Sequence, residues 1–225
     1  MKNIKKTIIL PLMTAIFICM SFVGCGTEVV KGDTVATGFY NMFVKQDLSD
    51  IKEIGMSDED GQKAIENYKN EIKRQTKLNF TKNALTISDA DLDRIVNAEL
   101  DLFKKLDAEI TIVSEDKNSC EVKISTTYAD VTTLDTNAAN DAVNEVLAMN
   151  IKNQKEANNK LVSIYIDKLV SALENAQPST ERNEKTFTFK KEKLDCDGKV
   201  KDVYTPEDYS SFGETVGNMV TSAQK

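Results

Sequence analysis

The side chains of this sequence that could do chemistry are acids, tyrosines and cysteines, because the chain contains no histidine at all. That absence removes the usual general base near neutral pH, the Ser-His-Asp and Cys-His arrangements, and the commonest zinc ligand. No glycine-rich phosphate loop is present either; the nine glycines are scattered. Three acids at alternate positions, Asp89, Asp91 and Asp93, look like the start of a calcium loop. Such a loop needs Gly at its sixth position and Glu at its twelfth, and Arg94 and Leu100 stand there instead. These acids, like Asp58-Glu59-Asp60 before Gly61, are therefore expected to crowd a helix start, where the helix dipole favours them. What remains for catalysis is a carboxylate beside Tyr128, Tyr165 or Tyr204, and nothing in the sequence singles out an inward acid to serve it. No cofactor and no metal site is expected.

The four cysteines have different surroundings. MKNIKK carries three lysines and no acid, Ile8 to Gly24 carries no charge, and Gly24-Cys25-Gly26 closes the run. A basic start, an apolar stretch and small residues at its end are the pattern of an export signal. Phe22-Val23-Gly24-Cys25 looks like a bacterial lipobox, with Phe22 where Leu is usual, and makes Cys25 the expected lipidation site. Residues 1–24 are then a signal peptide and 25–33 a lipidated tether. The alternatives are an uncleaved anchor, for which the apolar run is short against the roughly 20 residues a span needs, and simple secretion. Lipidation with more than one acyl chain would hold the domain stably on the outer face of the cell membrane. Cys19 leaves with the signal, so Cys120 and Cys196 are the remaining thiols; export permits a disulfide between them, and a buried free thiol at Cys120 is the alternative.

Removing Lys2, Lys5 and Lys6 with the signal takes the formal charge from -7 to about -10. So acidic a surface repels phosphate backbones and argues against a nucleic-acid partner. About 200 residues remain, enough for one domain with a real core, expected at 34–222.

Periodicity supplies the elements. Val35, Ala36, Phe39, Met42 and Phe43 give one helical face, and Ser57 and Ser88 open two further helices with an acid three residues on. Leu92, Ile95, Val96, Leu102 and Phe103 mark the third helix as strongly amphipathic. The period then drops to two at Glu109–Val113 and again at Cys120–Tyr128, a hairpin with Val122 and Ile124 inward. Asn137–Ala176 reads as helix with a break near 150–158. Thr186–Leu194 and Val200–Tyr204 read as a second hairpin about Asp197-Gly198. Thr205-Pro206-Glu207-Asp208 reads as the start of a last helix. The fold class is α+β: helices first, a four-stranded antiparallel sheet interrupted by a long helical insertion, and a closing helix.

VATGFYNMFVKQDLSDI, DLFKKLDAEITIVSEDKNSCEVKIS and TFTFKKEKLDCDGKVKD together resemble an uncharacterised lipoprotein family of Firmicutes and, more distantly, the NTF2-like, cystatin-like fold. Related sequences often carry Trp after the last hairpin turn, where Val200 or Val203 stands here. The resemblance implies a fold and an envelope location and no catalytic residue, since that fold hosts enzymes and binding modules alike. The expected function is a non-enzymatic binding or accessory module of the cell envelope, taking another envelope protein or a small apolar ligand. The rivals are a carboxylate- or tyrosine-based enzyme in an NTF2-like pocket and a structural subunit of an envelope complex.

Overall fold

A computed structural model describes residues 29–196 and 199–224, with side chains described outside 194–201. Six α-helices and one four-stranded antiparallel sheet make an α+β domain. Helix α1 (Gly32–Tyr40) continues into a π-helical turn, Asn41–Lys45, and stops at Gln46 in the left-handed conformation. Helices α2 (Asp58–Lys82) and α3 (Asp89–Phe103) follow, then strands β1 (Ala108–Glu115) and β2 (Ser119–Thr127). Helices α4 (Val131–Ala148) and α5 (Gln154–Asn175) intervene before β3 (Arg182–Cys196), β4 (Lys199–Pro206) and α6 (Tyr209–Thr221).

The strand order is β1-β2-β3-β4, so β2 and β3 are neighbours although two helices separate them in sequence. Along one sheet face, Cys120 stands opposite Phe189, and Val122 opposite Phe187. That inward parity buries Cys120, Val122, Ile124 and Phe189 under α1 and α6. Phe212 of α6 stands within 4.8 Å of the Phe187 ring centroid and 5.7 Å of Phe189, and Phe39 of α1 joins them at 6.4 Å. Edge-to-face contacts of this kind add to the area these rings bury. The opposite face presents Glu109, Thr111, Glu184 and Thr186 to solvent, the ordinary one-sided pattern of an antiparallel sheet.

Polar side chains lock the sheet to its neighbours. Arg182 donates to Asp107 at 2.7 Å and to the Ser125 carbonyl at 2.8 Å, joining the starts of β1 and β3 across β2. Asn183 donates to the carbonyls of Met219 and Ser222 and accepts from the Gln224 amide, tying the end of α6 to β3.

Several boundaries differ from the sequence reading. Val30 bridges Val203 in parallel and exchanges two backbone hydrogen bonds with β4, so the fold begins inside the stretch read as tether. Helix α4 starts at Val131 rather than Asn137, because Asp130 accepts the Thr133 amide at 3.1 Å and caps it. The expected break falls between Ala148 and Gln154, where Asn150 adopts a left-handed φ of 51°. Pro206 closes β4 opposite Phe189, an edge position where its missing N–H costs nothing, and Asp208 caps α6 instead. The Asp197-Gly198 turn, the signal and Cys25 lie outside the described residues.

Candidate functional site

The acids singled out by spacing serve the helix starts. Ser88 caps α3 through the Asp91 amide at 3.1 Å, Asp89 pairs with Lys77 at 2.7 Å, and Asp93 pairs with Lys73. Ser57 does the same for α2, with Asp58 on Lys52 and Glu59 on Lys63. Among the described residues no group of three or more His, Cys, Asp or Glu could hold a metal ion.

The three tyrosines part company. Tyr128 reaches Glu181 only at 3.4 Å and near the surface. Tyr204 donates to Glu115 and to the Asp116 carbonyl, bracing the β1–β2 turn, while Lys191 lies 4.9 Å above its ring. Tyr165 alone meets a buried acid: its hydroxyl donates to Asp135 of α4. Asp135 is 1% exposed and Glu99 of α3 is 4% exposed. Their charges act on each other, and Glu99 also acts on Tyr68 of α2 and on Tyr165 of α5. Four helices thus contribute one polar side chain each to a single interior cluster.

Burial dominates its electrostatics. Removal from water penalises a carboxylate, which pushes Glu99 up to about 8, with the Asp135 charge adding to it. Asp135 rises to about 7, also through burial, although the Tyr165 hydrogen bond works in the opposite direction. Tyr68 and Tyr165 are pushed well above the usual phenol value by the same burial and by these acids. Glu99 Oε2, Asp135 Oδ2 and the Tyr68 hydroxyl have no hydrogen-bond partner. Phe43, carried by the π-helical turn, covers Tyr68 edge-on at 5.5 Å and seals that side. The cluster can hold and release protons, and it is closed to a substrate.

Sequence periodicity passed over both acids. Glu99 sits among Val96, Ala98, Leu100, Leu102 and Phe103, all buried. Asp135 lies four residues before Ala139 and seven before Ala142, on the small-residue face of a helix whose start was misplaced. A buried side for that face was the one signal available.

Two open concavities among the described residues lie on either side of α5 and hold about 550 Å³ each. One runs between α3 and α5 past Arg94, Asp101, Lys105 and Glu174; the other runs between α4 and α5 past Asn137, Asp141 and Lys168. Asp167 and Ser171 border both. Arg94 bridges the first groove to Asp167 at 2.9 Å.

Cys120 is a free thiol, 2% exposed. The register sets Phe189 across from it and carries Cys196 seven positions farther along β3. At about 3.3 Å per residue that separation far exceeds the span of a disulfide, so this register does not form the Cys120–Cys196 bridge. The backbone of Gly32 packs against the sulfur, and burial raises the thiol to about 11. Cys120 is therefore a poor nucleophile. Native protein treated with an alkylating reagent at pH 8 should leave the Cys120 peptide unmodified by mass mapping, and urea-unfolded protein should modify it fully.

No helix among the described residues is long and apolar enough to cross a membrane. No family model and no curated protein matches the chain. Among solved structures the fold is similar to that of a candidate lipoprotein, YcdA, from Bacillus subtilis subsp. subtilis str. 168, with a TM-score of 0.58 at 14% identity. The match covers 85% of this chain and 56% of that protein, so this chain spans little more than half its length. At that identity the likeness is one of fold.

Proposed function

We propose that this protein is a lipoprotein of the cell envelope, anchored through Cys25, whose extracytoplasmic domain works by binding another envelope protein. The observation that carries the binding reading is the filled interior between sheet and helices. Val122, Ile124 and Phe189 are 0% exposed, and a Cβ at Gly32 would already stand 2.4 Å from the Cys120 sulfur. A small apolar ligand would need an apolar cone at that place. The two grooves beside α5 instead mix charged and polar side chains with apolar ones, Leu102, Val170 and Leu173 in the first and Leu134, Ala138 and Ala172 in the second, a mixture that suits a protein surface. The NTF2-like, cystatin-like reading of the fold is likewise ours; it rests on α1 packing against β1, β2 and β4 of a four-stranded antiparallel meander. The anchoring reading rests on the lipobox-like run before Cys25, and the fold likeness to a candidate lipoprotein is compatible with it.

The rival enzyme reading has one observation in its favour, the hydrogen bond from Tyr165 to an acid of raised pKa. That acid is sealed in the helical layer, where no substrate reaches it, so the binding reading is preferred.

Two arms of one experiment test the proposal in a Gram-positive host. An alkyne analogue of palmitate should label wild-type protein and leave Cys25→Ala unlabelled; an unlabelled wild type would sink the anchor. A photo-crosslinking residue at position 171, which borders both grooves, should give a discrete protein adduct that is lost with Cys25→Ala. The same residue at position 186 on the outer sheet face should give none. Equal adducts at both positions, or none at position 171, would contradict groove binding.

A further inference from the structure

We propose that the contact between the α2–α3 pair and the α4–α5 pair is a proton-controlled joint, closed while Glu99 and Asp135 are uncharged and opened when both are ionised. The two acids stand on opposite sides of this contact, Glu99 on α3 and Asp135 on α4. Each side also supplies a tyrosine, Tyr68 from α2 and Tyr165 from α5. The groups facing Glu99 are Asp135, Tyr68 and Tyr165; the groups facing Asp135 are Tyr165 and Glu99. No lysine or arginine acts on either carboxyl, and from the π-helical turn the Phe43 ring stands against Tyr68. Two charges placed here would be neither paired nor solvated, and they would repel each other across the contact.

Apolar packing holds this seam, with Phe80 of α2 against the Tyr165 ring of α5 at 5.8 Å and Leu169 and Leu173 fully buried, and its polar contacts add little. Outside the apolar face of α5, α3 holds that helix through the exposed Arg94–Asp167 pair and through the Lys105 ammonium on the carbonyls of Glu174 and Ala176. Exposed pairs of this kind contribute little. Helices α4 and α5 pack on each other, and both enter and leave the sheet at one neck, where the Ser179 amide donates to the Tyr128 carbonyl at 2.7 Å. They can therefore move as a unit while β2 and β3 stay paired. Three buried oxygens without partners, on Glu99, Asp135 and Tyr68, would all gain water on opening.

In the open form both acids return to ordinary carboxylate behaviour, whereas closure holds them protonated to about pH 8 and 7. Opening is thus favoured progressively as pH rises from the ordinary carboxylate range to about 8, by up to about tenfold per pH unit for each carboxyl, and levels off above it. This inference is independent of the anchoring reading. Hydrogen exchange of the full chain at pH 5 to 9, corrected for intrinsic exchange rates, tests it. Protection across 131–175 should fall on the order of 1,000-fold between pH 5 and pH 7 and stay well below that of β2 and the start of β3 throughout. The Glu99→Gln, Asp135→Asn double variant should remove most of that dependence. If that variant does not fold, Glu99→Gln alone should remove about half of it on a logarithmic scale. Protection across 131–175 equal to that of β2 at every pH, or a dependence that survives these substitutions, would overturn the joint.

Discussion

Unfolding by urea is expected to become easier as pH rises from the ordinary carboxylate range to about 8. Glu99 is raised from 4.5 to about 8 and Asp135 from 3.8 to about 7, so the folded state keeps two protons that the unfolded state gives up. A group raised in this way contributes stability that is complete below its unfolded value and is lost as pH climbs through its folded value. The loss runs at about 1.4 kcal/mol per pH unit for each acid and stops above pH 8. The opposite limb comes from Asp107, Asp89 and Asp116, which Arg182, Lys77 and the amide and hydroxyl of the β1–β2 turn hold below the usual carboxylate value. Their contribution is present above that value and is lost as pH falls through their lowered ones. Maximum stability is therefore expected near pH 4 to 5, more acidic than is common for globular proteins. Glu99→Gln should raise stability at pH 8 by about 2 kcal/mol or more and change it little at pH 4.5, since the amide has no proton to lose. Urea midpoints at the two pH values check both statements; a wild type more stable at pH 8 than at pH 5 would refute the first.

Gly32→Ala should cost about 1–3 kcal/mol, a large effect for one methyl group. A Cβ there would lie 2.4 Å from the Cys120 sulfur and 3.0 Å from a Val122 methyl, both on a sheet face already closed by Phe189. Neither neighbour ends a flexible side chain, so α1 must lift from β2 or the sheet must give. Cys120→Ala vacates the colliding atom at the cost of some buried area, about 1 kcal/mol. The two substitutions together should then be at least 1 kcal/mol less harmful than their sum, a coupling that contact residues of this kind show. Denaturant unfolding of the wild type, both single variants and the double variant gives the coupling directly. Strict additivity would mean that the close approach of Gly32 to Cys120 does not govern the docking of α1.

Much of the fold was legible because it rests on local signals. Ser57 and Ser88 announce their helices by side chains that bond amides three residues on, and the alternation Cys120, Val122, Ile124 fixes which face of β2 turns inward. The start of α4 falls six residues before the expected Asn137 because the cap on Asp130 is a local signal that composition does not show. Pro206 was placed at a helix start because sequence cannot show that β3 runs far enough to pair with it. The expected neighbourhood of Cys120 and Cys196 failed for a related reason: register depends on where β3 begins, and Arg182 starts it four residues before Thr186.

The candidate site was less legible than the fold. Tyr165 was named from the residue types alone, but its acid was not, because Asp135 becomes buried only when the α4–α5 insertion folds back on α3. Glu99 looks like any helix acid in a chain with 36 of them. What makes the two acids unusual is desolvation, a property of packing between elements distant in sequence.

The most direct measurement is a titration of side-chain carboxyl resonances by carbon-detected NMR on the isotopically labelled domain from pH 3 to pH 10. The Glu99 and Asp135 carboxyls should stay protonated through the range in which the other acids ionise, then titrate as a coupled pair in two steps near pH 7 and pH 8. Ionisation of both near pH 4, together with the surface acids, would contradict the buried proton-holding pair and the joint built on it.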